Sequence, residues 1–253
     1  MVGNISLNNQ SPSFAGKKFV QMKLLNETFL VPKAVANVRS SVKYVFVEDT
    51  NNCYMSNAVN LRDRMFIGIA HFWDCLKKVS EISIGKITCN KNGENSCSVN
   101  TVKKNLKNKR LDLGLFDVEM PKKWQIAKSK PVKIGRNLPK VGEDIYIVGY
   151  HPEFIGPKVI PAKYRGLCRS SIANNDEYGA SASYFEIVSD ILKDKMNPSC
   201  LSGAAIVNKG GELIGIQGKA VLDNDNSNGI LFGISLDTVK KYFKEVNISN
   251  LAV

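Results

Sequence analysis

The sequence predicts an all-β fold made of two β-modules and followed by a C-terminal α-helix. Short segments rich in Val, Ile, Phe and Tyr recur along the chain, Asn, Gly, Pro and Asp bound them, and only the last segment has helical spacing. With 253 residues, 43% of them hydrophobic, the chain is long enough and apolar enough to bury a sizeable core. These values exclude a largely disordered chain.

Ten segments have strand character, and their regular short spacing is typical of barrels and sandwiches rather than of alternating strand–helix units. They span residues 18–25, 42–48, 65–69, 82–89, 111–118, 144–150, 160–167, 204–208, 213–217 and 230–234. In the final segment Leu236, Val239, Phe243 and Val246 recur at helical spacing, and Asp237 is the predicted N-terminal cap.

A stretch that contains lysine and proline separates the two predicted modules near the middle of the chain. We predict a polar arm, an N-terminal β-module, a linker, a C-terminal β-module and a helix with a tail, at residues 1–16, 17–122, 123–134, 135–235 and 236–253. A site between two modules takes residues from both, and clefts at module interfaces are common ligand sites.

The chain is basic, with 35 Lys and Arg against 23 Asp and Glu and a formal net charge of +12. This surplus favours anionic partners in solution but does not indicate a fold. Basic residues cluster from Lys103 to Arg110, where the alternatives are a solvated, mobile hairpin and salt-dependent contact with the phosphate backbone of RNA. No aromatic residue interrupts this cluster, so base stacking is not predicted.

No apolar run is long enough to cross a membrane, and the N-terminal residues contain no run of signal-peptide length. We therefore expect no membrane association and a cytoplasmic location, in the host cytoplasm if the source is viral. The six cysteines lack metal-ligand spacing, so we expect free thiols in a reducing compartment, with no metal and no cofactor.

The chain contains only two histidines, His71 and His151, and general-base catalysis near neutral pH most often uses this residue. His71 follows the apolar segment 65–70, which places it at the predicted end of a strand. His151 lies in a turn after another predicted strand. For each, the alternative is a partly buried ring whose hydrogen bonds are satisfied.

Ser202 and Asp112 are the other two candidate catalytic residues. Gly203 and two alanines follow Ser202, and such a tight turn leaves the hydroxyl uncrowded and can direct backbone N–H groups at an oxyanion. Asp112 lies in the apolar segment 111–116, where an unpaired carboxylate is costly to bury, so a histidine N–H is a fitting partner. An ordinary β-turn and an exposed Asp on an edge strand are the alternatives.

The order His71, Asp112, Ser202 and their separations along the chain are similar to those of the chymotrypsin catalytic triad. The surrounding segments read FIGIAH at 66–71, LDLGL at 111–115, VGEDIYIVGY at 141–150 and SGAAIVN at 202–208, the last leading to GELIGI at 211–216. Over about residues 35–245, the chain resembles the chymotrypsin-fold (trypsin-like) serine peptidases. The resemblance is greatest to their minimal stress-protease-like and viral main-protease-like branches.

This resemblance implies two six-stranded antiparallel β-barrels with a C-terminal α-helix, and a serine-type endopeptidase that acts on polypeptides through an acyl-enzyme intermediate. It implies that Ser202 attacks the scissile carbonyl, that His71 takes and returns its proton, and that Asp112 holds the imidazole tautomer. It also implies that the N–H groups of Cys200 and Ser202 form the oxyanion hole.

By the same resemblance, the pocket for the substrate residue before the cleaved bond is lined by a segment before Ser202 and a segment after the hairpin. The candidate substrate-binding residues are Asn197, Pro198, Gln217, Gly218, Lys219 and Ala220. Asn197 and Gln217 predict a polar, uncharged pocket, and no Asp is present at its floor to favour Arg or Lys. We therefore expect a polar or small residue at that substrate position.

Three departures from the family pattern keep other interpretations open, namely Ile69 in place of threonine, Cys200 in place of glycine and Leu201 in place of an acid. Many viral relatives use a cysteine nucleophile, so Cys200 is an alternative to Ser202, although Gly203 after Ser202 favours the serine. The other alternative is a catalytically silent protease-like module that binds peptide or RNA.

Overall fold

A computed structural model describes residues 18–48, 53–62, 64–73, 82–89, 95–118, 129–168, 178–194, 196–221 and 230–248. The predicted polar arm and part of the predicted linker lie outside these residues. The described chain begins with the hairpin β1 (Phe19–Leu24) and β2 (Glu27–Pro32), which is followed by the short helix α1 (Lys33–Val38).

Six antiparallel strands close the first barrel in the order β3-β4-β5-β8-β7-β6. They are β3 (Val42–Glu48), β4 (Cys53–Arg62), β5 (Met65–Ile69), β6 (Ile82–Cys89), β7 (Asn95–Asn108) and β8 (Leu113–Val118). Branched and aromatic side chains fill its interior, among them Val45, Val59, Ile67, Ile84 and Phe116.

The second barrel follows the order β13-β10-β11-β12-β15-β14 and is closed by antiparallel pairing of β13 with β14. Its strands are β10 (Asp144–Gly149), β11 (Lys158–Cys168), β12 (Tyr184–Val188), β13 (Ala205–Asn208), β14 (Glu212–Val221) and β15 (Ile230–Ser235). The two-residue strand β9 (Lys133–Ile134) runs parallel to β14 outside the closed ring. Ile147 pairs with both Ile160 and Ile206, and these three side chains lie in a core of isoleucine, leucine and phenylalanine.

Two more helices complete the described fold, α2 (Asp190–Asp194) and the C-terminal α3 (Leu236–Glu245). The prediction of two six-stranded antiparallel barrels with a C-terminal helix is therefore confirmed. The five domain divisions remain predictions, with the hairpin β1–β2 and helix α1 lying before the first strand of the first barrel. No helix among the described residues is long and apolar enough to cross a membrane.

Several predicted local features differ from the structure. Strand β8 begins at Leu113 rather than at residue 111, so Asp112 precedes the strand. The N-terminal cap of α3 is Ser235, whose Oγ accepts a hydrogen bond from the Thr238 N–H at 3.4 Å, and Asp237 lies in the first turn instead. The segment from Lys103 to Arg110, where no strand was predicted before residue 111, is the end of β7 and the start of a 3-10 turn.

Candidate active site

His71 and Asp112 are in direct contact beside the ends of β5 and β8. The His71 Nδ1 lies 2.8 Å from the Asp112 Oδ2, and the His71 main-chain N–H donates to the Asp112 Oδ1 at 2.9 Å. The Asp112 side chain is fully buried, whereas the His71 side chain is 32% exposed. An imidazole whose Nδ1–H donates to a carboxylate carries its lone pair on Nε2, the nitrogen that accepts a proton in general-base catalysis.

The main chain of Asp112 explains how its carboxylate reaches His71. Asp112 ends a 3-10 turn over Lys109–Leu111 in the left-handed conformation, with φ 53° and ψ 37°. Aspartate is one of the few residues that tolerate this region, because its short polar side chain can hydrogen-bond locally. The Asp112 C=O also accepts the N–H of Ala70 at 3.2 Å, so main chain and side chain together fix the end of β5.

Ser202 lies on a tight turn between the 3-10 turn Pro198–Leu201 and β13. Its side chain is half-buried, and its C=O accepts hydrogen bonds from the Asn57 N–H at 2.8 Å and the Ser56 Oγ at 3.0 Å. Gly203 has a φ of +81°, and a Cβ at that position would lie 2.0 Å from the Asn57 main-chain oxygen. The turn therefore requires glycine after Ser202.

Asn57, on β4 of the first barrel, connects both parts of the candidate site. Its side chain is 1% exposed; its Oδ1 accepts the Tyr150 N–H at 2.7 Å, and its Nδ2 donates to the carbonyls of Tyr150 and Ser202, both at 3.3 Å. The Asn57 main-chain oxygen is also 2.9 Å from the position that a Cβ of Gly68 would take. Gly68 lies in β5, the strand that leads to His71, so Asn57 touches the segments that carry the histidine and the serine.

Cys200 lies in the 3-10 turn before Ser202, where its half-buried side chain is a free thiol. The Asn57 Nδ2 is 3.5 Å from the Cys200 carbonyl oxygen. Burial raises the pKa of the neighbouring Tyr44 phenol to about 12, and the charge of a Cys200 thiolate contributes to this rise. A phenol that stays neutral at pH 7 does not act as a base for the thiol.

The two predicted substrate-binding segments are brought together around this turn. The main chain of Gln217 pairs with the two residues after Ser202. Its C=O accepts the Gly203 N–H at 2.8 Å, and its N–H donates to the Ala204 carbonyl at 2.9 Å. Strand β14 also contacts the 3-10 turn that contains Pro198. Gln217 and Gly218 are buried, Lys219 and Ala220 are half-buried, Pro198 is buried and Asn197 is exposed.

The contacts of the second histidine, His151, indicate a structural role. It is buried, its Nε2 lies 3.1 Å from the Asn197 O, and its Nδ1 accepts the Glu153 N–H at 3.3 Å. A neutral ring with its proton on Nε2 satisfies both contacts. His151 therefore holds the main chain of the segment that leads to Ser202.

Three residues near the site were not predicted from the sequence, namely Ser56, Asn57 and Tyr178. The Tyr178 ring meets the His71 ring edge-on at 6.2 Å between centroids. The available signal for the first two was a serine and an asparagine within the segment CYMSNAVNLR, whose other residues have strand character. Polar side chains in such a segment need partners if they are buried.

The chain is similar to several solved structures of proteases. They include the Rv3671c protease from M. tuberculosis in its active form, with a TM-score of 0.62, 15% identity and coverage of 88% of this chain and 92% of that chain. The HtrA-type protease AlgW with tripeptide has a TM-score of 0.58, 15% identity and coverage of 84% and 62%. Deg5 has a TM-score of 0.58, 17% identity and coverage of 82% and 89%.

No protein-family model and no curated protein matches the sequence. At identities this low, the structural similarity establishes a shared fold alone. The similarity agrees with the two closed barrels and the C-terminal helix described above. The chain therefore has the two-barrel fold of the chymotrypsin-like serine proteases.

Proposed function

We propose that the chain is a serine-type endopeptidase whose catalytic residues are His71, Asp112 and Ser202. The observation that carries this proposal is the buried Asp112 carboxylate bound to the Nδ1 of a partly exposed His71. A buried carboxylate in this arrangement stabilises the imidazolium that forms when Nε2 takes a proton. The likeness of the fold to those of serine proteases supports the same reaction class.

In the proposed mechanism, Ser202 attacks the scissile carbonyl as His71 Nε2 removes the hydroxyl proton. The C–O bond of the tetrahedral intermediate forms as the carbonyl π bond opens, and the negative charge goes to the carbonyl oxygen. The C–N bond then breaks as His71 donates its proton to the leaving amine, which gives the acyl-enzyme. Water attacks the acyl carbonyl while His71 removes a proton from it, and the C–O bond to Ser202 breaks as His71 returns that proton to the serine oxygen, which releases the carboxylic acid. Asp112 remains ionised throughout and keeps the imidazole in one tautomer.

The main-chain N–H groups of Cys200 and Ser202 are the proposed oxyanion donors. Asn57 supports this role, because its hydrogen bonds to the carbonyl of Ser202 hold the turn that contains both groups. In the substrate pocket, we propose that Asn197, Pro198, Gln217, Gly218, Lys219 and Ala220 accommodate a polar or small residue. The resemblance to the viral branch stays a prediction.

A fluorophosphonate probe tests the proposal directly, because it forms a covalent bond only with an activated serine. We expect the probe to label Ser202 in the wild-type protein and to label nothing in Ser202→Ala. Ser40→Ala is the matched control, because Ser40 is also half-buried but its hydroxyl donates to the Asn37 carbonyl, outside the site. Labelling that persists in Ser202→Ala contradicts the proposal.

The same protein samples separate the two alternatives. Inactivation by iodoacetamide at Cys200, with peptidase activity retained in Ser202→Ala, establishes the cysteine nucleophile. A wild-type protein that the probe does not label, together with salt-sensitive RNA binding that falls on neutralising the lysines between Lys103 and Arg110, establishes a silent binding module.

A further inference from the structure

Tyr178 precedes a strand of the second barrel, but its ring contacts the histidine at the edge of the first barrel. It lies in residues 178–183, the interbarrel segment, which lead into strand β12. The Tyr178 and His71 ring centroids are 6.2 Å apart, and the two ring planes are inclined by 79°. Two aromatic rings in this edge-to-face arrangement favour one mutual orientation. The contact therefore restricts the rotation of an imidazole whose side chain is 32% exposed.

Contacts from both barrels hold Tyr178 in this place. The Lys109 Nζ lies 5.4 Å from the Tyr178 ring centroid, and the Lys219 Nζ donates to the Tyr178 carbonyl at 3.3 Å. Lys109 begins the 3-10 turn that ends at Asp112, and Lys219 lies on strand β14. Tyr178 is thus fixed relative to the acid of the proposed catalytic pair as well as to the second barrel.

The interbarrel segment also binds the main chain of the turn that carries the proposed catalytic acid. The Gly179 N–H donates to the Lys109 carbonyl at 2.9 Å. The Ser181 N–H donates to the Arg110 carbonyl at 2.7 Å, and the Arg110 Nε donates to the Ser181 Oγ at 3.2 Å. One segment therefore contacts the histidine through an aromatic ring and the turn of the acid through three hydrogen bonds.

The interbarrel segment has this path because residue 179 is glycine and its far end is anchored. Gly179 has a φ of +78°, and a Cβ at that position would lie 1.9 Å from the Tyr184 hydroxyl oxygen. At the other end, the Ser183 N–H donates to the Thr238 Oγ1 at 2.8 Å, in the first turn of helix α3. The segment is thus held between helix α3 and the turn of the acid.

The Tyr178 hydroxyl takes no part in these contacts. Its oxygen is buried, and the part of the chain that the structure describes contains no hydrogen-bond partner for it. The ring is therefore the part of this side chain that acts on His71. We propose that Tyr178 is a positioning residue, whose ring holds the His71 imidazole in the orientation that pairs Nδ1 with Asp112 and leaves Nε2 for Ser202. This inference rests on the proposed endopeptidase function and makes the geometry of its catalytic pair depend on a segment of the second barrel.

Two substitutions of Tyr178 separate the ring from the hydroxyl. In Tyr178→Ala the imidazole loses the neighbouring ring, and we expect fluorophosphonate labelling of Ser202 in the folded protein to fall by about ten- to a hundredfold. Tyr178→Phe keeps the ring and removes only an unpaired hydroxyl, so labelling should stay within about twofold of the wild-type rate.

Phe29→Ala is the matched control for the loss of an aromatic side chain. Phe29 is half-buried, as Tyr178 is, but it lies on the hairpin strand β2, outside both barrels. We expect Phe29→Ala to lose stability and to keep the wild-type labelling rate. Wild-type labelling in Tyr178→Ala, or an equal fall in Tyr178→Phe or in Phe29→Ala, overturns the inference.

Nitrogen NMR of the imidazoles measures the same orientation without requiring activity. The chain has only two histidines, and their contacts predict opposite neutral tautomers, with the proton on Nδ1 in His71 and on Nε2 in His151. At about pH 8, where an ordinary imidazole is neutral, we expect the single Nδ1–H tautomer of His71 in the wild type and in Tyr178→Phe. In Tyr178→Ala the two His71 nitrogen signals should move towards each other as the tautomers mix, while those of His151 stay unchanged. Unchanged His71 signals in Tyr178→Ala overturn the inference.

Together the two measurements separate failure of the positioning role from failure of the enzyme. A labelled wild-type protein, with equal labelling and equal His71 signals in Tyr178→Ala, refutes the positioning role and leaves the serine mechanism intact. An unlabelled wild-type protein whose His71 signals still change in Tyr178→Ala refutes the hydrolase and supports the positioning of the imidazole by Tyr178.

Discussion

Replacing Asn57 by alanine removes the side chain that connects the first barrel to the turn containing Ser202. In the wild-type protein the Asn57 Oδ1 accepts the Tyr150 N–H at 2.7 Å, and the Nδ2 donates to the carbonyls of Tyr150 and Ser202 at 3.3 Å. Alanine removes the amide that accepts the Tyr150 N–H and donates to the two carbonyls, and the loss of hydrogen bonds at a buried position costs about 1–3 kcal/mol. Loss of packing at this 1%-exposed position adds to that, so we expect about 2–4 kcal/mol less stability.

Urea unfolding measures this loss as a lower midpoint at an unchanged slope. The fluorophosphonate labelling rate, measured where the variant is fully folded, reports the position of Ser202 and should fall at least about tenfold. The rate falls because the Ser202 carbonyl loses the hydrogen bond from the Asn57 Nδ2, and the turn gains freedom.

Asn60→Ala is the matched control for this experiment. Asn60 is fully buried on the same strand, but its Nδ2 donates to the Ser129 Oγ at 2.9 Å, away from the turn of Ser202. We expect Asn60→Ala to lose stability and to keep the wild-type labelling rate. Wild-type labelling in Asn57→Ala, or an equal loss of labelling in both variants, would refute the positioning role of Asn57.

Three further predictions concern the turn, the acid and the interior. Gly203→Ala should destabilise the fold by several kcal/mol more than Gly142→Ala. Both glycines have a positive φ, but of the two only Gly203 is so placed that an added Cβ would meet a main-chain oxygen. Equal losses of stability in urea unfolding would contradict this prediction. Asp112→Asn should lower the peptidase kcat by about 10⁴-fold by favouring the wrong tautomer, whereas a loss below tenfold would deny Asp112 its role. Tyr44 stays neutral to about pH 12 in the folded protein, whereas a phenol in the unfolded chain ionises near pH 10. The free energy of unfolding should therefore fall as the pH rises from about 10 to about 12. The ultraviolet titration difference between wild type and Tyr44→Phe should therefore have its midpoint at about pH 12, and a midpoint near 10 would contradict the burial argument.

The strands that were predicted with correct bounds have a simple composition. Strands β3, β5 and β6 are dominated by branched and aromatic residues and are bounded by turn residues, so local propensity and tertiary structure agree. Strand β4 was missed because its buried positions include Ser56, Asn57 and Asn60, whose burial depends on partners far along the chain. Most of β7 escaped prediction because lysine and asparagine are depleted in strands.

The candidate site was predictable where its chemistry is local and hidden where it depends on tertiary contacts. The contact between His71 and Asp112 joins residues 41 positions apart, and a buried acid in an apolar segment indicated that such a partner was needed. The left-handed conformation of Asp112 had no sequence signal, because Asp is also common in ordinary turns. The role of Asn57 was equally hidden, since its partners lie in the second barrel.

The rate at which a fluorophosphonate labels Ser202 in His71→Ala tests the catalytic proposal most directly. If the imidazole removes the serine proton, labelling of the folded variant should fall by about 10²- to 10⁴-fold. The urea midpoint should fall as well, because the buried Asp112 carboxylate loses the donor on the His71 Nδ1. Labelling of Ser202 at the wild-type rate in the folded His71→Ala protein would show that the hydroxyl is not activated by this histidine, and would contradict the proposed mechanism.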